Sequence, residues 1–280
     1  MTPRHVAVVG AAETTEMGVI PGLSELQLHA DAALNAMADA GLAAADIDGI
    51  ASAGEAPDVL AQYLGITPAW LDGTNIGGCS FMLHVRHAMA AIQTGLCTTV
   101  LITHGESGRS RVESMGFPEY FGGKLAGQFE VPYGSSLPLT MFTVPVLRYL
   151  DTYGLNPEDM APVCVIQREW AAMNPRATFK DPITVDDVMN SRMVAYPFTL
   201  LMCCLRTDGG GALILTSADR AVDFPHRPVY VLGTGESAEG PMVSQLKDFS
   251  SSRAFRQSGE RAFTEAGISR ADVDHLMIYD

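Results

Sequence analysis

Positive charge, cysteine and long apolar runs are all scarce in this chain of 280 residues. Lys and Arg together number 18 against 32 Asp and Glu, which leaves a net charge of −14. Such a balance argues against nucleic-acid binding, which depends on a broad basic surface, and it disfavours binding to an anionic membrane surface. The longest apolar runs fall far short of the ~18 residues of a membrane-spanning helix.

The five cysteines have neither the even number nor the regular spacing of a disulfide framework. We therefore expect a reducing compartment, the cytoplasm, and the sequence ahead of the first predicted strand does not resemble a signal peptide. The adjacent pair Cys203-Cys204 is typical of core packing. Apolar residues, by contrast, make up 47% of the chain, which is enough for a large core.

One stretch of the chain occurs twice. Residues 36–50 recur in a looser form at 262–276, with Ala, Gly, Asp and Asp repeated at one constant offset. A β-like run precedes each copy, Val6–Gly10 before the first and Val229–Gly233 before the second. Both copies predict the order strand, loop, helix ending at Gly, Asp-x-Asp, strand. A duplicated α/β half of this kind constrains the fold strongly.

The two copies divide the chain unequally. We assign residues 1–220 to a complete first half and residues 226–280 to the start of a second. A sheet interrupted there would leave an unpaired edge and an apolar face exposed, so we expect the natural chain to continue beyond Asp280. Residues 105–137 are rich in Gly, Ser and Pro, and a loop of that length is usually functional.

Hydrophobic periodicity predicts alternating strands and helices in the first half. The predicted helices lie at 25–40, 57–64, about 80–94, 139–153, 157–173 and from Thr184 onward. The predicted strands, besides Val6–Gly10, lie at 47–52, 98–103 and 212–216. This alternation is typical of a mostly parallel sheet covered by helices.

Cys79 is the leading candidate for chemistry. It stands at the predicted start of the third helix, after Gly77 and Gly78 and before Ser80. A helix N-terminus offers unpaired N–H groups and a partial positive charge, which lower the pKa of a thiol. Adjacent glycines let a substrate carbonyl approach the backbone, as an oxyanion hole requires. The alternative is a buried, inert cysteine in a tight turn.

Other candidate residues carry weaker signals. His84 and His87 are three residues apart on the same predicted helix, but no third ligand is evident, so we expect no metal site. Three arginines are candidates for binding the phosphates of an anionic ligand, with solvated surface arginine as the alternative. They are Arg109, Arg111 and Arg206.

The duplicated half, with a cysteine opening a helix, resembles the thiolase superfamily. It is most similar to the sterol-carrier-protein-type thiolases and the thiolase-like lipid-transfer proteins. Gly77–Ser80 resembles the Asn-Asn-Cys-Ser segment that carries their nucleophile. Gly105-Glu106 resembles their Gly-x-Glu turn, and residues 206–212 resemble the Asp-Gly-rich entry to the last strand of their first half. The resemblance runs along the whole chain and implies an α/β fold of layered αβαβα type.

The resemblance implies a Claisen-type enzyme whose substrates are coenzyme A thioesters, with no further bound cofactor. Cys79 would carry the acyl group while a carbon–carbon bond is made or broken in lipid or steroid side-chain metabolism. Gly77, Gly78 and Ser80 would then bind the substrate carbonyl. A homodimer paired beside the nucleophile helix is implied. The lipid-transfer relatives further imply a small partner protein with an OB-fold and a zinc ribbon.

Two other functions stay open. Phe81 and Met82 stand where thiolases have a small residue and Gly, and some relatives are retro-aldolases that cleave a steroid side chain held as a coenzyme A thioester. Tyr279 would be the acid/base residue of such a carbon–carbon lyase, with an uninvolved strand-end tyrosine as the alternative. The family's Gly-His-Pro segment and second catalytic cysteine have no counterpart up to Asp280. The third interpretation is therefore a non-catalytic carrier of acyl-CoA or lipid.

Overall fold

The computed structural model describes residues 6–113, 124–135 and 138–278. They group into two units, which we call the sheet unit and the inserted unit. The sheet unit comprises Met1–Ser114, Thr207–Ser237 and Phe255–Asp280, and the inserted unit comprises Met115–Arg206 and Ala238–Ala254. These units are defined by contacts in space. The division into two copies near residue 220 is defined by the sequence repeat, and it stays a prediction.

The described residues form both strands and helices. The strands are β1 (Val6–Glu13), β2 (Gly49–Ser52), β3 (Trp70–Asp72), β4 (Thr99–Ser107), β5 (Met193–Ala195), β6 (Phe198–Thr199), β7 (Asp208–Ser217) and β8 (Val229–Val231). The α-helices are α1 (Glu25–Ala40), α2 (Pro57–Leu64), α3 (Ser80–Gln93), α4 (Leu125–Phe129), α5 (Pro138–Tyr153), α6 (Ala161–Met173), α7 (Val185–Asn190) and α8 (Arg253–Ala266). Helices α1 and α2 have the predicted limits, whereas β4 and β7 are longer than predicted.

The limits of α1 follow from its caps. The Gln27 N–H donates to Ser24 Oγ, and the Ser24 N–H donates to Gln27 Oε1, so the first turn has a complete capping box. Gly41 ends the helix with φ +70°, a left-handed conformation that costs glycine least. Such caps are encoded locally, which explains why the sequence predicts this helix well.

The six-stranded sheet has the order β3-β2-β4-β7-β1-β8 and is mixed. β2 pairs in parallel with β3 and β4, but β4 with β7, β7 with β1 and β1 with β8 are antiparallel pairs. The expectation of a mostly parallel sheet was wrong. The reason is that β7 returns from the inserted unit between β4 and β1, rather than through a right-handed βαβ crossover.

Each face of the sheet carries its own apolar cluster. On one face, α1 and α2 pack on residues such as Ile50, Leu101 and Ile214, all fully buried. On the other face, α3 packs on residues such as Val100 and Leu215, also fully buried. Burial of an aliphatic side chain stabilises the fold by about 1.5–3 kcal/mol, so the sheet unit holds α3 firmly on its second face.

The duplication is visible in the packing. A Cβ built on Gly10 would meet Ala36 O and Ala40 Cβ, both at 2.8 Å. A Cβ built on Gly233 would meet the equivalent atoms of the second copy, Ala262 O and Ala266 Cβ. In both copies the absence of a side chain therefore lets a helix pack closely on the backbone, on β1 at Gly10 and two residues beyond β8 at Gly233.

The second copy departs from its prediction after α8. A 3₁₀ turn at Arg270–Asp272 repeats the one at Ala44–Asp46, but residues 273–278 form no strand. The prediction of a strand there was wrong within the described residues. Met277 is 95% exposed, and no strand among the described residues pairs with this run. The first copy's β2 forms because β3 and β4 flank it.

The inserted unit is mainly helical. The predicted helix from 157 begins as a 3₁₀ turn at Pro157–Met160 and continues as α6. Thr184 caps α7 as predicted, because Thr184 Oγ1 accepts from the Asp187 N–H at 3.1 Å. The side chain of Thr199, which is 1% exposed, donates to the Val188 carbonyl at 2.8 Å.

Candidate functional site

The segment before α3 is a tight turn that places Cys79 at the N-cap position of the helix. Gly77 has φ +97°, in the left-handed region that favours glycine. Ser80 Oγ donates to the Gly77 carbonyl at 2.6 Å and accepts from the Ile76 N–H at 2.9 Å. Hydrogen bonds within the turn thus hold four of the predicted site residues together, namely Gly77, Gly78, Cys79 and Ser80.

Cys79 is exposed. The N–H groups of Met82 and Leu83 donate to its carbonyl, so the helix begins directly behind it. Among the residues that the structure describes, the Cys79 thiol has no hydrogen-bond partner. The turn offers N–H groups and a partial positive charge to a carbonyl oxygen.

A groove of about 430 Å³ opens beside the start of α3. Phe81, from the first turn of α3, forms part of its wall, whereas the neighbouring Met82 is 72% exposed. The other lining residues come from β1, β4 and β7, and they are Ala11, Ala12, Glu13, Ile102, Thr103, His104, Gly211, Ala212 and Leu213. The size and the mainly apolar lining are those of a small-molecule site.

His104 is the groove residue that the sequence analysis missed. Its ring packs on Phe81 with 4.5 Å between centroids, and its Nε2 lies 3.9 Å from Glu106 Oε2. Burial lowers the pKa of His104, and the charge of Glu106 opposes that effect. The usable signal was His-x-Glu at the end of a β-branched run, because residues two apart on a strand share a face.

A second histidine lies on the opposite, α1-covered face of the sheet. His29 is fully buried, and its Nδ1 is 2.8 Å from Thr103 Oγ1. Burial lowers the pKa of His29 to about 3, and His104 adds to the shift, so His29 is neutral at physiological pH. Nearby, burial and the charge of Glu106 raise the pKa of Glu25. Polar groups therefore converge on the end of β4 from both faces.

Asp208 fixes the loop that carries two of the predicted arginines. It is 1% exposed and accepts hydrogen bonds from the N–H groups of Ile20 (2.7 Å), Arg109 (2.7 Å) and Ser110 (2.8 Å), as well as from Ser110 Oγ (2.5 Å). Arg111 has φ +56°, an uncommon conformation for a residue with a side chain. The backbone of Arg109 and Arg111 is thus held in place while both side chains are exposed.

Two of the remaining candidates, His84 and His87, belong to α3 but do not line the groove. Arg206 belongs to the inserted unit, and Tyr279 lies outside the described residues. His84 is fully buried with Nε2 at 2.9 Å from the Thr74 carbonyl. His87 Nδ1 lies 2.6 Å from Asp72 Oδ2.

The described residues contain no group of three or more His, Cys, Asp or Glu side chains arranged to hold a metal ion. None of their helices combines the length and the apolar character that a membrane crossing requires.

Contacts between α3 and the second copy hold the helix from its outer side. Arg86 Nη1 donates to the Thr234 carbonyl at 3.0 Å and lies 3.4 Å from Glu265 Oε2. His87 Nε2 lies 3.5 Å from Glu236 Oε2. The helix that begins at Cys79 is therefore tied to both copies within the sheet unit.

Comparison with known proteins gives a consistent set of relatives. Residues 235–280 match the family described as "Thiolase C-terminal domain-like". The chain is 31% identical to "17-hydroxy-3-oxo-4-pregnene-20-carboxyl-CoA lyase" of Mycobacterium tuberculosis, over 100% of this chain and 76% of that protein. It is 30% identical to "Acetyl-CoA acetyltransferase" of Methanothermobacter thermautotrophicus, over 99% of this chain and 74% of that protein.

Solved structures agree with these relatives. The structure described as "Ltp2-ChsH2(DUF35) aldolase" superimposes with a TM-score of 0.87 and 30% identity, over 98% of this chain and 72% of the other. A monomeric SCP2-thiolase-like protein type 1 from Mycobacterium smegmatis gives a TM-score of 0.80 and 24% identity. That match covers 99% of this chain and 60% of the other, and it shows the fold alone.

Proposed function

Because the chain belongs to the thiolase superfamily, we propose that it is an acyl-CoA enzyme that cleaves a carbon–carbon bond next to the thioester. The reaction would be a retro-aldol cleavage of a 3-hydroxyacyl-CoA. Its place would be lipid metabolism, with a steroid side chain as the substrate type that the lyase relative suggests. Coenzyme A enters as part of the substrate.

The observation that carries this choice is the arrangement at the start of α3. An apolar groove with one imidazole adjoins a turn rich in N–H groups, and the Cys79 thiol is hydrogen-bonded to none of the described residues. A retro-aldol step requires a base for the hydroxyl group and donors for the thioester oxygen, but no covalent intermediate. The lyase relative and the TM-score of 0.87 to an aldolase support the same reaction.

The coenzyme A moiety calls for positive charge near the groove. We propose that Arg109 and Arg111, on the loop that Asp208 fixes, bind its phosphate groups. Arg206, which belongs to the inserted unit, is proposed as a separate phosphate-binding residue. Guanidinium groups suit phosphate because they donate in a planar fork. In a chain of net charge −14, a local basic loop would direct an anionic substrate to one place.

Acyl transfer through Cys79 is the second candidate function. It is favoured by one observation, the exposed thiol at the N-cap of a 14-residue helix. Gly77, Gly78 and Ser80 would then line the oxyanion site around the acyl group. The relative described as an acetyl-CoA acetyltransferase supports this chemistry as well.

Replacement of Cys79 by serine separates the two reactions. We expect Cys79→Ser to cleave 3-hydroxyacyl-CoA esters within about twofold of the wild-type rate, because the retro-aldol step does not use the thiol. If acyl transfer is the reaction, the same change should cost about 1,000-fold or more. Cleavage would be followed by mass spectrometry of the CoA products, with the exposed Cys204→Ser as the matched control.

Intact-protein mass gives an independent check of the same question. An acyl adduct mapped to Cys79 after incubation with a panel of acyl-CoA esters would contradict the lyase and establish acyl transfer. Consumption of the ester without an adduct would support the lyase. Binding without either would favour the non-catalytic carrier.

We also propose how the protein assembles. Residues 1–220 and 226–280 would be the two homologous halves, and the protein would pair with a second copy beside α3. A small OB-fold and zinc-ribbon protein would complete the acyl-CoA pocket. The description of the aldolase structure names two proteins, which supports a partner protein. All five cysteines are free, which suits a reducing compartment such as the cytoplasm.

The partner proposal predicts a stable complex. Co-expression of this chain with a small OB-fold and zinc-ribbon protein should give a single peak in size-exclusion chromatography that contains both proteins. Light scattering on that peak would also show whether two copies of this chain are present. Separate elution of the two proteins at micromolar concentration would contradict the proposal.

A further inference from the structure

We propose that His104 is the catalytic acid/base residue of the groove and that Glu106 positions it. The inference rests on the proposed carbon–carbon cleavage and names the group that would move the proton. Neither residue was singled out as catalytic by its sequence pattern.

The position of His104 on the sheet directs it to the groove. His104 and Glu106 lie two residues apart on β4 and so share a face with Ile102, another groove residue. The side chain of His104 is 39% exposed, although its Nδ1 is buried. The exposed part of the ring therefore includes the Nε2 edge, which a substrate in the groove can reach.

The ring is held from three directions. Phe81 packs against it with 4.5 Å between centroids, and His29 meets it edge-on at 6.1 Å. Glu106 Oε2 lies 3.9 Å from Nε2 and would stabilise the imidazolium that forms during a proton transfer. Because the ring is already oriented by these neighbours, little free energy is needed to reorient it when the reaction occurs.

Three other described histidines of the sheet unit do not suit this role. His29 and His84 are both fully buried, so a substrate cannot reach them. His87 is engaged by Asp72 on one ring nitrogen and by Glu236 on the other. Among the described residues, His104 is the imidazole that lines the groove.

The charge state of His104 fits a base at neutral pH. Burial lowers the pKa of His104 while Glu106 opposes the shift, so the net pKa is below its usual value and the ring is neutral at pH 7. The ionisable groups that face it are Glu106, the neutral His29 and, across the groove, Glu13.

The proposed step balances without a co-reactant. His104 Nε2 accepts the proton of the substrate's 3-hydroxyl group, and the O–H electron pair becomes the second bond of a new carbonyl. The bond between C2 and C3 breaks, and its electron pair forms an enolate of the thioester. His104 then returns the proton to C2, which leaves a carbonyl compound and a shortened acyl-CoA.

The test compares His104→Gln with the wild-type protein and with His226→Gln. His226 is a matched control because it sits on the surface, with Nε2 at 3.1 Å from Asp39. We expect His104→Gln to lower kcat for 3-hydroxyacyl-CoA cleavage by about 100-fold or more, with KM changed less than about threefold. The fall in wild-type rate at acidic pH, where the base is protonated, should be absent from the residual activity of the variant.

Two outcomes would overturn the role of His104. One is a His104→Gln variant with the wild-type kcat and pH profile. The other is a His104 imidazole signal, in protein labelled with ¹³C-histidine, that does not shift when a 3-hydroxyacyl-CoA binds. Glu106→Gln should lower kcat about tenfold. It should also shift the fall in rate at acidic pH to a lower pH, because loss of the carboxylate charge lowers the pKa of the His104 imidazole.

Failure of the inference can be told from failure of the proposed function. A wild-type protein that binds but cleaves none of the esters would refute the proposed reaction. In that protein the shift of the His104 signal on binding still decides whether the residue meets the ligand. Normal cleavage by His104→Gln would refute the inference alone.

Discussion

Replacement of Asp208 by alanine is expected to lower the free energy of unfolding of the sheet unit by about 3 kcal/mol or more at pH 7. The Asp208 carboxylate is 1% exposed and accepts four hydrogen bonds. The alanine variant would leave the N–H groups of Ile20, Arg109 and Ser110 without this acceptor. Each unsatisfied buried donor costs about 1–3 kcal/mol.

Urea denaturation followed by circular dichroism would measure this effect. Asp219→Ala is the matched control, because Asp219 is an exposed carboxylate just beyond β7. The control should lie within about 0.5 kcal/mol of the wild type. An Asp208→Ala variant as stable as the control would show that the carboxylate does not hold the Arg109 loop.

The effect of Asp208 should depend on pH in a defined direction. Burial by itself raises the pKa of this carboxyl, but the hydrogen bonds from Ile20, Ser110 and Arg109 outweigh burial, and the net pKa is lowered. The stabilisation is therefore complete above the unfolded pKa of about 4 and is lost as pH falls through the lower folded value. The difference between wild type and variant should shrink below about pH 4.

Replacement of Gly210 by alanine is expected to destabilise the sheet unit by about 3 kcal/mol or more and to lower cleavage activity with it. Gly210 pairs with Gly105 across β7 and β4. A Cβ on Gly210 would overlap the carbonyl oxygen of His104 and come within 2.9 Å of the Gly105 Cα. Both are backbone atoms of a central strand, so relief requires β4 to move and His104 to move with it.

Gly211 provides the control on the same strand. A Cβ on Gly211 would meet only Ala12 O, at the ordinary contact distance of 3.5 Å. We expect Gly211→Ala to stay within about 1 kcal/mol of the wild type in thermal and urea unfolding. Equal stability of the two alanine variants would mean that β4 and β7 separate easily at this point, contrary to the observed packing.

The elements with local signals could be predicted from the sequence. Ser24 and Gly41 cap α1 through contacts within a few residues, and Cys79 opens α3 as expected. The direction of β7 could not be predicted, because its neighbours in the sheet, β1 and β4, are far away in the chain. Likewise, His104 becomes a candidate only when folding brings Phe81 and Glu106 beside it.

The strand expected after Asp274 shows the limit of the repeat argument. Similar sequences form similar local structure, so the 3₁₀ turn at Arg270–Asp272 forms as it does in the first copy. A strand also needs a neighbour to accept and donate its backbone hydrogen bonds. Residues 273–278 have no neighbouring strand in the described structure, and the sequence pattern of the repeat contains no information about that neighbour.

The long excursion between β4 and β7 begins and ends at adjoining points of one ladder. Ser107 faces Asp208 across the pair, and the register then runs unbroken to Thr99 and Thr216. The pairing of β4 with β7 thus holds together the two ends of the intervening hundred or so residues. The free energy of bringing the ends of a loop together rises by only about 0.6 kcal/mol for each doubling of its length. The segment between β4 and β7 can therefore be lengthened, shortened or exchanged in evolution while the strands that line the groove stay unchanged.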